Sequence, residues 1–125
     1  MKKMETAFSP VSKPLLLQLT KAKNFIEQDV SSKLDVNMLA KEAALSKFHF
    51  LRCFKKTFGL SPYQYLLKKR LEKSLELLSQ RKYSVTEVAY HVGFNDIYSF
   101  SKSFKKHFNK CPSQVDVYEI EYELN

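Results

Sequence analysis

Apolar residues recur along this chain in stripes at helical spacing, and capping and turn residues separate the stripes. Leu15-Leu16-Leu17-x-Leu19 through Phe25-Ile26 predicts a first helix, ending near Asp29 to Ser32. Asp35 then caps a short helix from Val36 to about Ala43, with Leu34 and Leu39 spaced as a hydrophobic staple. Ala40 and Ala43 are small enough for another helix to approach closely. After a turn at Ala44-Leu45, Ser46 caps a helix to about Phe58, and Gly59 ends it. Ser61-Pro62-Tyr63-Gln64 combines a cap, a first-turn proline and a third-position Gln. It opens a long helix to about Ser79, striped by Leu67, Leu71, Leu75 and Leu78. Ser84-Val85-Thr86-Glu87 is a capping box for a second short helix, with Tyr83 and Val88 as its staple. Gly93-Phe94 makes a turn, Asn95 or Asp96 caps a helix to about Phe108, and Pro112 opens a last, weaker helix.

Part of this pattern occurs twice. Phe50-x-x-x-Phe54-Lys55-Lys56-x-Phe58 returns as Phe100-x-x-x-Phe104-Lys105-Lys106-x-Phe108, at an offset of 50. Val36, Leu39 and Ala40 return as Val85, Val88 and Ala89, at an offset of 49. One supersecondary unit has been built twice, with a single extra residue in or after the second turn. The prediction is an all-α chain of about seven helices, as two helix–turn–helix subdomains joined by a long linking helix. The expected organisation is a mobile arm over 1–12, a first subdomain over 13–60, the linking helix over 61–80, a second subdomain over 81–114, and an acidic tail or helix end over 115–125.

Charge gives this pattern a chemical direction. The 125 residues include 21 Lys and Arg against 13 Asp and Glu, a formal net charge of +8. The balance is uneven, because Asp116, Glu119, Glu121 and Glu123 follow Lys110 and no Lys or Arg does. Residues 1–110 therefore carry a local balance of +12. A basic body of this kind suits a polyanion, and nucleic acid before an anionic membrane. No apolar run approaches the ~20 residues of a membrane span, and no signal-peptide apolar region follows Met1-Lys2-Lys3-Met4. Cys53 and Cys111 are isolated and read as ordinary thiols of a reducing cytoplasm. With no metal-spaced Cys/His cluster, Gly-rich phosphate loop or nucleophile–base pair, neither an enzyme nor a cofactor is expected.

Helix–turn–helix units place the second helix in the DNA major groove, its N-terminal residues against base edges. The first unit offers Lys47, Phe48, His49, Leu51 and Arg52 away from its Phe stripe, and the second offers Asp96, Ile97, Tyr98, Ser99, Ser101 and Lys102, with Lys47, Phe48, Leu51, Arg52, Tyr98, Ser99 and Lys102 the expected base contacts. Arg52 and Lys102 occupy equivalent places, each two residues after a repeated Phe. Arg is suited to bidentate contact with guanine, and Leu51 to a thymine methyl. Lys55, Lys56, Lys105 and Lys106 lie a turn later, where phosphate contact gives affinity without sequence information. Ser46 and Asn95, at the helix starts, complete the predicted phosphate set. The linking helix, Pro62 to Ser79, spans roughly 27 Å at 1.5 Å per residue. Adjacent major-groove segments are about 34 Å apart, so a monomer reading two successive grooves of double-stranded DNA is expected.

These residues resemble the paired helix–turn–helix domain of AraC/XylS-type transcription regulators, over about residues 15–114. The second copy carries the more specific phrase: Glu87-Val88-Ala89, Gly93-Phe94-Asn95-Asp96, Phe100-x-Lys102-x-Phe104-Lys105-Lys106-x-Phe108 and Pro112. The resemblance implies a seven-helix domain, sequence-specific DNA binding and activation through RNA polymerase. It also places Phe48, Leu51, Arg52, Tyr98, Ser99 and Lys102 where family members touch bases. The chain departs from the family pattern at Lys102 (usually Arg), Asn109 (usually Gly), Cys111 (usually Ser) and Val115-Asp116 (often Tyr-Arg). About 14 residues precede the first helix, too few for a sensor domain. The chain is expected to be a stand-alone, MarA/SoxS-like regulator or the DNA-binding part of a larger one, monomeric on DNA unless that larger regulator is dimeric. The competing reading is a protein-interaction module of the transcription machinery, acting through the acidic tail and the amino-terminal arm.

Overall fold

A computed structural model describes residues 12–115, and all of its regular structure there is helical. Six α-helices are formed: α1 (Lys13–Gln28), α2 (Val36–Glu42), α3 (Lys47–Phe58), α4 (Pro62–Ser79), α5 (Val85–His91) and α6 (Ile97–Phe108). A 3₁₀ turn, Pro112–Gln114, closes the described chain. Two compact units result, Met1–Gln28 with Leu34–Leu66 and Asp29–Lys33 with Leu67–Asn125, and their boundary falls inside α4. The expected arm lies outside the described residues except for Ser12, and the acidic tail except for Val115.

Capping residues set the helix starts. The backbone N–H of Met38 donates to Asp35 Oδ1 at 3.0 Å, that of His49 to Ser46 Oγ at 3.2 Å, and that of Gln64 to Ser61 Oγ at 3.1 Å. Ser84 and Glu87 form a reciprocal capping box. At the start of α6 the cap is Asp96, whose carboxylate accepts from the Ser99 N–H at 2.7 Å. The first helix stops at Gln28 because Asp29 turns its carboxylate onto the following residues. It accepts from the Ser31 N–H at 3.1 Å, Ser31 Oγ at 2.6 Å and Ser32 Oγ at 2.7 Å. That local network competes with continuation of the helix. The expected last helix is a single 3₁₀ turn up to Val115.

In the first unit, α1 packs against α2 and α3. Phe50 and Phe54 are fully enclosed, together with Leu19, Ile26 and Leu39. Phe54 lies edge-on to Phe58 at 4.8 Å and to Tyr65 at 6.1 Å, both within the range where aromatic pairs attract. The Tyr65 hydroxyl donates to Glu27.

In the second unit, Phe100, Phe104 and Phe108 join Leu71, Leu75, Val88 and Val92 in one core cluster, and Val115 completes it. Arg70 closes the unit at its edge. Its Nε donates to the Val30 carbonyl at 2.6 Å and its Nη2 to that of Ser32 at 3.0 Å.

Each unit contains a short helix, a turn and a Phe-striped helix. The turns begin alike. The Leu45 N–H donates to the Ala40 carbonyl and the Phe94 N–H to that of Ala89, both near 3 Å. Ala44 (φ 57°) and Gly93 (φ 107°) both take positive φ. The turns then diverge: Ser46 caps α3 directly after Leu45, whereas Asn95 intervenes between Phe94 and the cap Asp96. Asn95 is therefore the extra residue in the second copy.

Gly93 serves a second requirement. A Cβ there would lie 2.9 Å from the Arg70 guanidinium and 3.0 Å from the Ser31 Cα, whereas one on Gly59 (φ 83°) would meet nothing within 4 Å. Gly59→Ala should cost about 1 kcal/mol, from backbone strain alone. Gly93→Ala should cost about 2–4 kcal/mol, because strain and overpacking add. Urea unfolding midpoints of the two variants decide this, and equal losses would contradict the packed guanidinium. Hydrogen bonds from Ser31 and Ser32, with a smaller contribution from the Arg70 charge, hold the Asp29 carboxyl below its ordinary value of 3.8. A lowered folded value stabilises the fold above the unfolded value and loses that effect as pH falls through the folded one. Asp29→Asn should therefore flatten the stability curve below about pH 4, as read from acid titrations of the unfolding midpoint.

Candidate nucleic-acid interface

Burial of one face of α3 leaves a defined opposite face. Phe50, Cys53 and Phe54 point into the core. Lys47, Phe48, Arg52, Lys55 and Lys56 are exposed, and Leu51 is half-buried. The same division recurs on α6: Phe100, Phe104 and Phe108 are buried, whereas Tyr98, Ser99, Lys102, Lys105 and Lys106 are exposed. Phe48 and Tyr98 are 77% and 75% exposed, so two aromatic rings stand in water at the same register. A large apolar ring left in solvent beside a row of cations suits a partner with both apolar and anionic parts, such as a base edge flanked by phosphates.

Among the described residues, salt bridges link Lys69 to Glu72 and Lys73 to Glu76, and none involves Lys47, Arg52, Lys55, Lys56, Lys102, Lys105 or Lys106. Lys55 and Lys56 lie in the last turn of α3, and Lys105 and Lys106 in that of α6. There they also oppose the partial negative charge of the helix end. Gly59 and Asn109 terminate these helices in the left-handed conformation, and each N–H donates at 2.7 Å to the carbonyl of Lys55 or Lys105. Asn109 at φ 61° takes the left-handed conformation that Gly59 takes in the first copy, with a residue that tolerates it.

The two helix starts differ chemically. Ser46 is neutral, and its Oγ accepts from the His49 N–H. Asp96 is an acid that accepts from both the N–H and, at 3.1 Å, the Oγ of Ser99. The Ser99 hydroxyl donates its proton to that carboxylate, which leaves its oxygen as an acceptor. Asn95 is exposed immediately ahead of that cap.

Arg70 is the residue whose role the sequence hid. It sits among Lys68, Lys69 and Lys73 and reads as one more surface cation, yet it holds carbonyls 38 and 40 residues away. No local spacing signals such a bond. Among the described residues no group of His, Cys, Asp and Glu is placed to hold a metal ion. No helix there is long and apolar enough to cross a membrane.

Comparison with known proteins agrees with this geometry. A helix-turn-helix domain family matches residues 39–116. The Msm operon regulatory protein of Streptococcus mutans is 38% identical over 96 residues, covering 77% of this chain and 34% of that protein. The chain spans about a third of the length of the curated relatives it matches. Among solved structures, a transcriptional regulator of Chromobacterium violaceum, described as an AraC-type DNA-binding domain-containing protein, superposes with a TM-score of 0.75 at 27% identity, covering 84% of this chain and 93% of that one. The DNA-binding domain of the global transcriptional factor AdpA, in complex with a target DNA, superposes with a TM-score of 0.65 at 27% identity, covering 90% and 92%. With a matching family model over most of the described residues and a duplicated helix–turn–helix unit, the chain belongs to the AraC/XylS-type family of helix-turn-helix DNA-binding domains.

Proposed function

We propose that this domain reads double-stranded DNA with α3 and α6 in successive major grooves, as part of a transcription regulator that activates through RNA polymerase. The observation that carries the reading is the register match between two exposed faces. Phe48 and Tyr98, Arg52 and Lys102, Lys55 and Lys105, and Lys56 and Lys106 all lie 50 residues apart and all are exposed. The buried Phe rows lie at the same offset. Duplicated solvent-facing positions on duplicated scaffolds suit a ligand that repeats, and duplex DNA repeats its groove about every 34 Å.

Within that reading the roles divide by position. Lys47, Phe48, Leu51 and Arg52 from α3, with Tyr98, Ser99 and Lys102 from α6, meet base edges. Arg52 supplies the planar, two-pronged donor that matches guanine, and Lys102 a single mobile ammonium. Ser46, Lys55, Lys56, Asn95, Lys105 and Lys106 meet phosphate. One chain occupies one asymmetric site. Within a longer dimeric regulator, each subunit contributes one such pair of helices. The activity is binding without turnover, and activation through RNA polymerase follows the family resemblance.

Arg52→Ala should cost about 1–3 kcal/mol of binding to the best site and relax the preference at one base pair. Because Arg52 is exposed, its unfolding midpoint should stay within about 0.5 kcal/mol of the parent. Affinity profiles over single-base variants of the site test this, and an equal loss on every sequence would contradict base reading. Lys55→Ala and Lys105→Ala should instead weaken all sequences alike and reduce the salt slope of log K by about 1 each. Titrations at several salt concentrations measure it, and a change in sequence preference with an unchanged slope would reverse the assignment.

A further inference from the structure

The second unit carries a cationic face and leads directly into an anionic segment. Lys102, Lys105 and Lys106 are exposed on α6 at spacings of three and four residues, which puts them on one face. Like charges at that spacing repel one another, and no acidic side chain among the described residues pairs with them. Val115, the last described residue, is buried in the same core cluster as Phe104 and Phe108, and the 3₁₀ turn before it packs on α6. Val115 thus anchors the end of the described chain against α6, and residues 116–125 follow it. That segment holds Asp116, Glu119, Glu121 and Glu123 and no cation.

We propose that residues 116–125 dock on the Lys102–Lys105–Lys106 face of α6 in the DNA-free protein and are displaced when DNA binds. Reach permits it: ten residues extend up to about 33 Å, and a twelve-residue helix such as α6 is only about 18 Å long. Tethering raises the local concentration of the carboxylates to the millimolar range, so weak individual pairs suffice. The carboxylates take the place of DNA phosphates, as spaced oxygen anions accepting from ammonium groups. Duplex DNA, with one charge per ~1.7 Å of axis, is the denser polyanion and displaces them. The acidic segment thus acts as a built-in competitor that sets how easily the second helix engages phosphate. The inference rests on the DNA-binding reading for its effect on affinity, and the docking itself is testable without DNA.

The test compares the parent chain with a full-length variant carrying Asp116→Asn, Glu119→Gln, Glu121→Gln and Glu123→Gln. Zero-length carbodiimide cross-linking of the free parent, read by mass spectrometry, should join the tail carboxylates to Lys102, Lys105 or Lys106, and duplex DNA should abolish those links. The variant should bind duplex DNA on the order of ten-fold more tightly at low salt, with the gap closing at several hundred millimolar as the ion pairs are screened. Cross-links spread evenly over lysines outside α6, Lys13 and Lys82 among them, would overturn the docking. So would a tighter-binding variant whose parent shows no α6 cross-links, since that result is repulsion between tail and DNA. Equal affinities for parent and variant would overturn the competition while leaving the DNA-binding reading in place. Failure of both chains to bind any duplex would instead overturn that reading.

Discussion

The burial of one Phe row on each of α3 and α6 is the constraint on which everything else depends. A helix can turn any face outward until something fixes its rotation. In α3 that is done by Phe50 and Phe54, fully enclosed and with tilted rings centred 5.7 Å apart. In α6 it is done by Phe100 and Phe104, equally enclosed and at 5.6 Å. Burying an aromatic side chain is worth roughly 1.5–3 kcal/mol, so rotating either helix by a third of a turn forfeits several such contributions. The exposed row is then determined by subtraction, and Arg52 and Lys102 face solvent because Phe50 and Phe100 cannot.

The turns convert this rotation into a presented edge. In each copy the chain leaves the short helix through a left-handed residue, Ala44 or Gly93, and re-enters a helix at a side-chain cap. In the second copy Gly93 also makes room for Arg70, whose guanidinium gathers the Val30 and Ser32 carbonyls. This explains why an alanine serves in one turn and glycine stands in the other. The cost of a positive φ alone is tolerable, but the cost of a Cβ against a packed guanidinium is added to it.

Much of this was legible in the sequence, for local reasons. Caps are local, so the starts of α2, α3, α4 and α5 follow from Asp35, Ser46, Ser61 and Ser84. The change of offset from 49 to 50 located an insertion at the second turn, and the hydrogen bonds narrow it to Asn95. What the sequence hid is long-range. Arg70 bonds to backbone 38 and 40 residues away, and Glu27 accepts from Tyr65 across a similar separation. The end of α1 fell at Gln28, just ahead of the expected Asp29 to Ser32, because Asp29 turns its carboxylate onto Ser31 and Ser32. At the candidate site, exposure followed from helical periodicity. The commitment of the Ser99 hydroxyl to Asp96 did not, since Asn95 and Asp96 were both eligible caps.

Under the proposed function, two alike scaffolds present two unlike reading edges to one duplex. Selecting bound sites from a random DNA pool at moderate salt, with stoichiometry measured on the winners, tests it most directly. The expected outcome is an asymmetric site bound by one chain, with two dissimilar half-sites centred about 10 base pairs apart. A palindrome filled by two chains, a single half-site, or no enrichment of any sequence would contradict it.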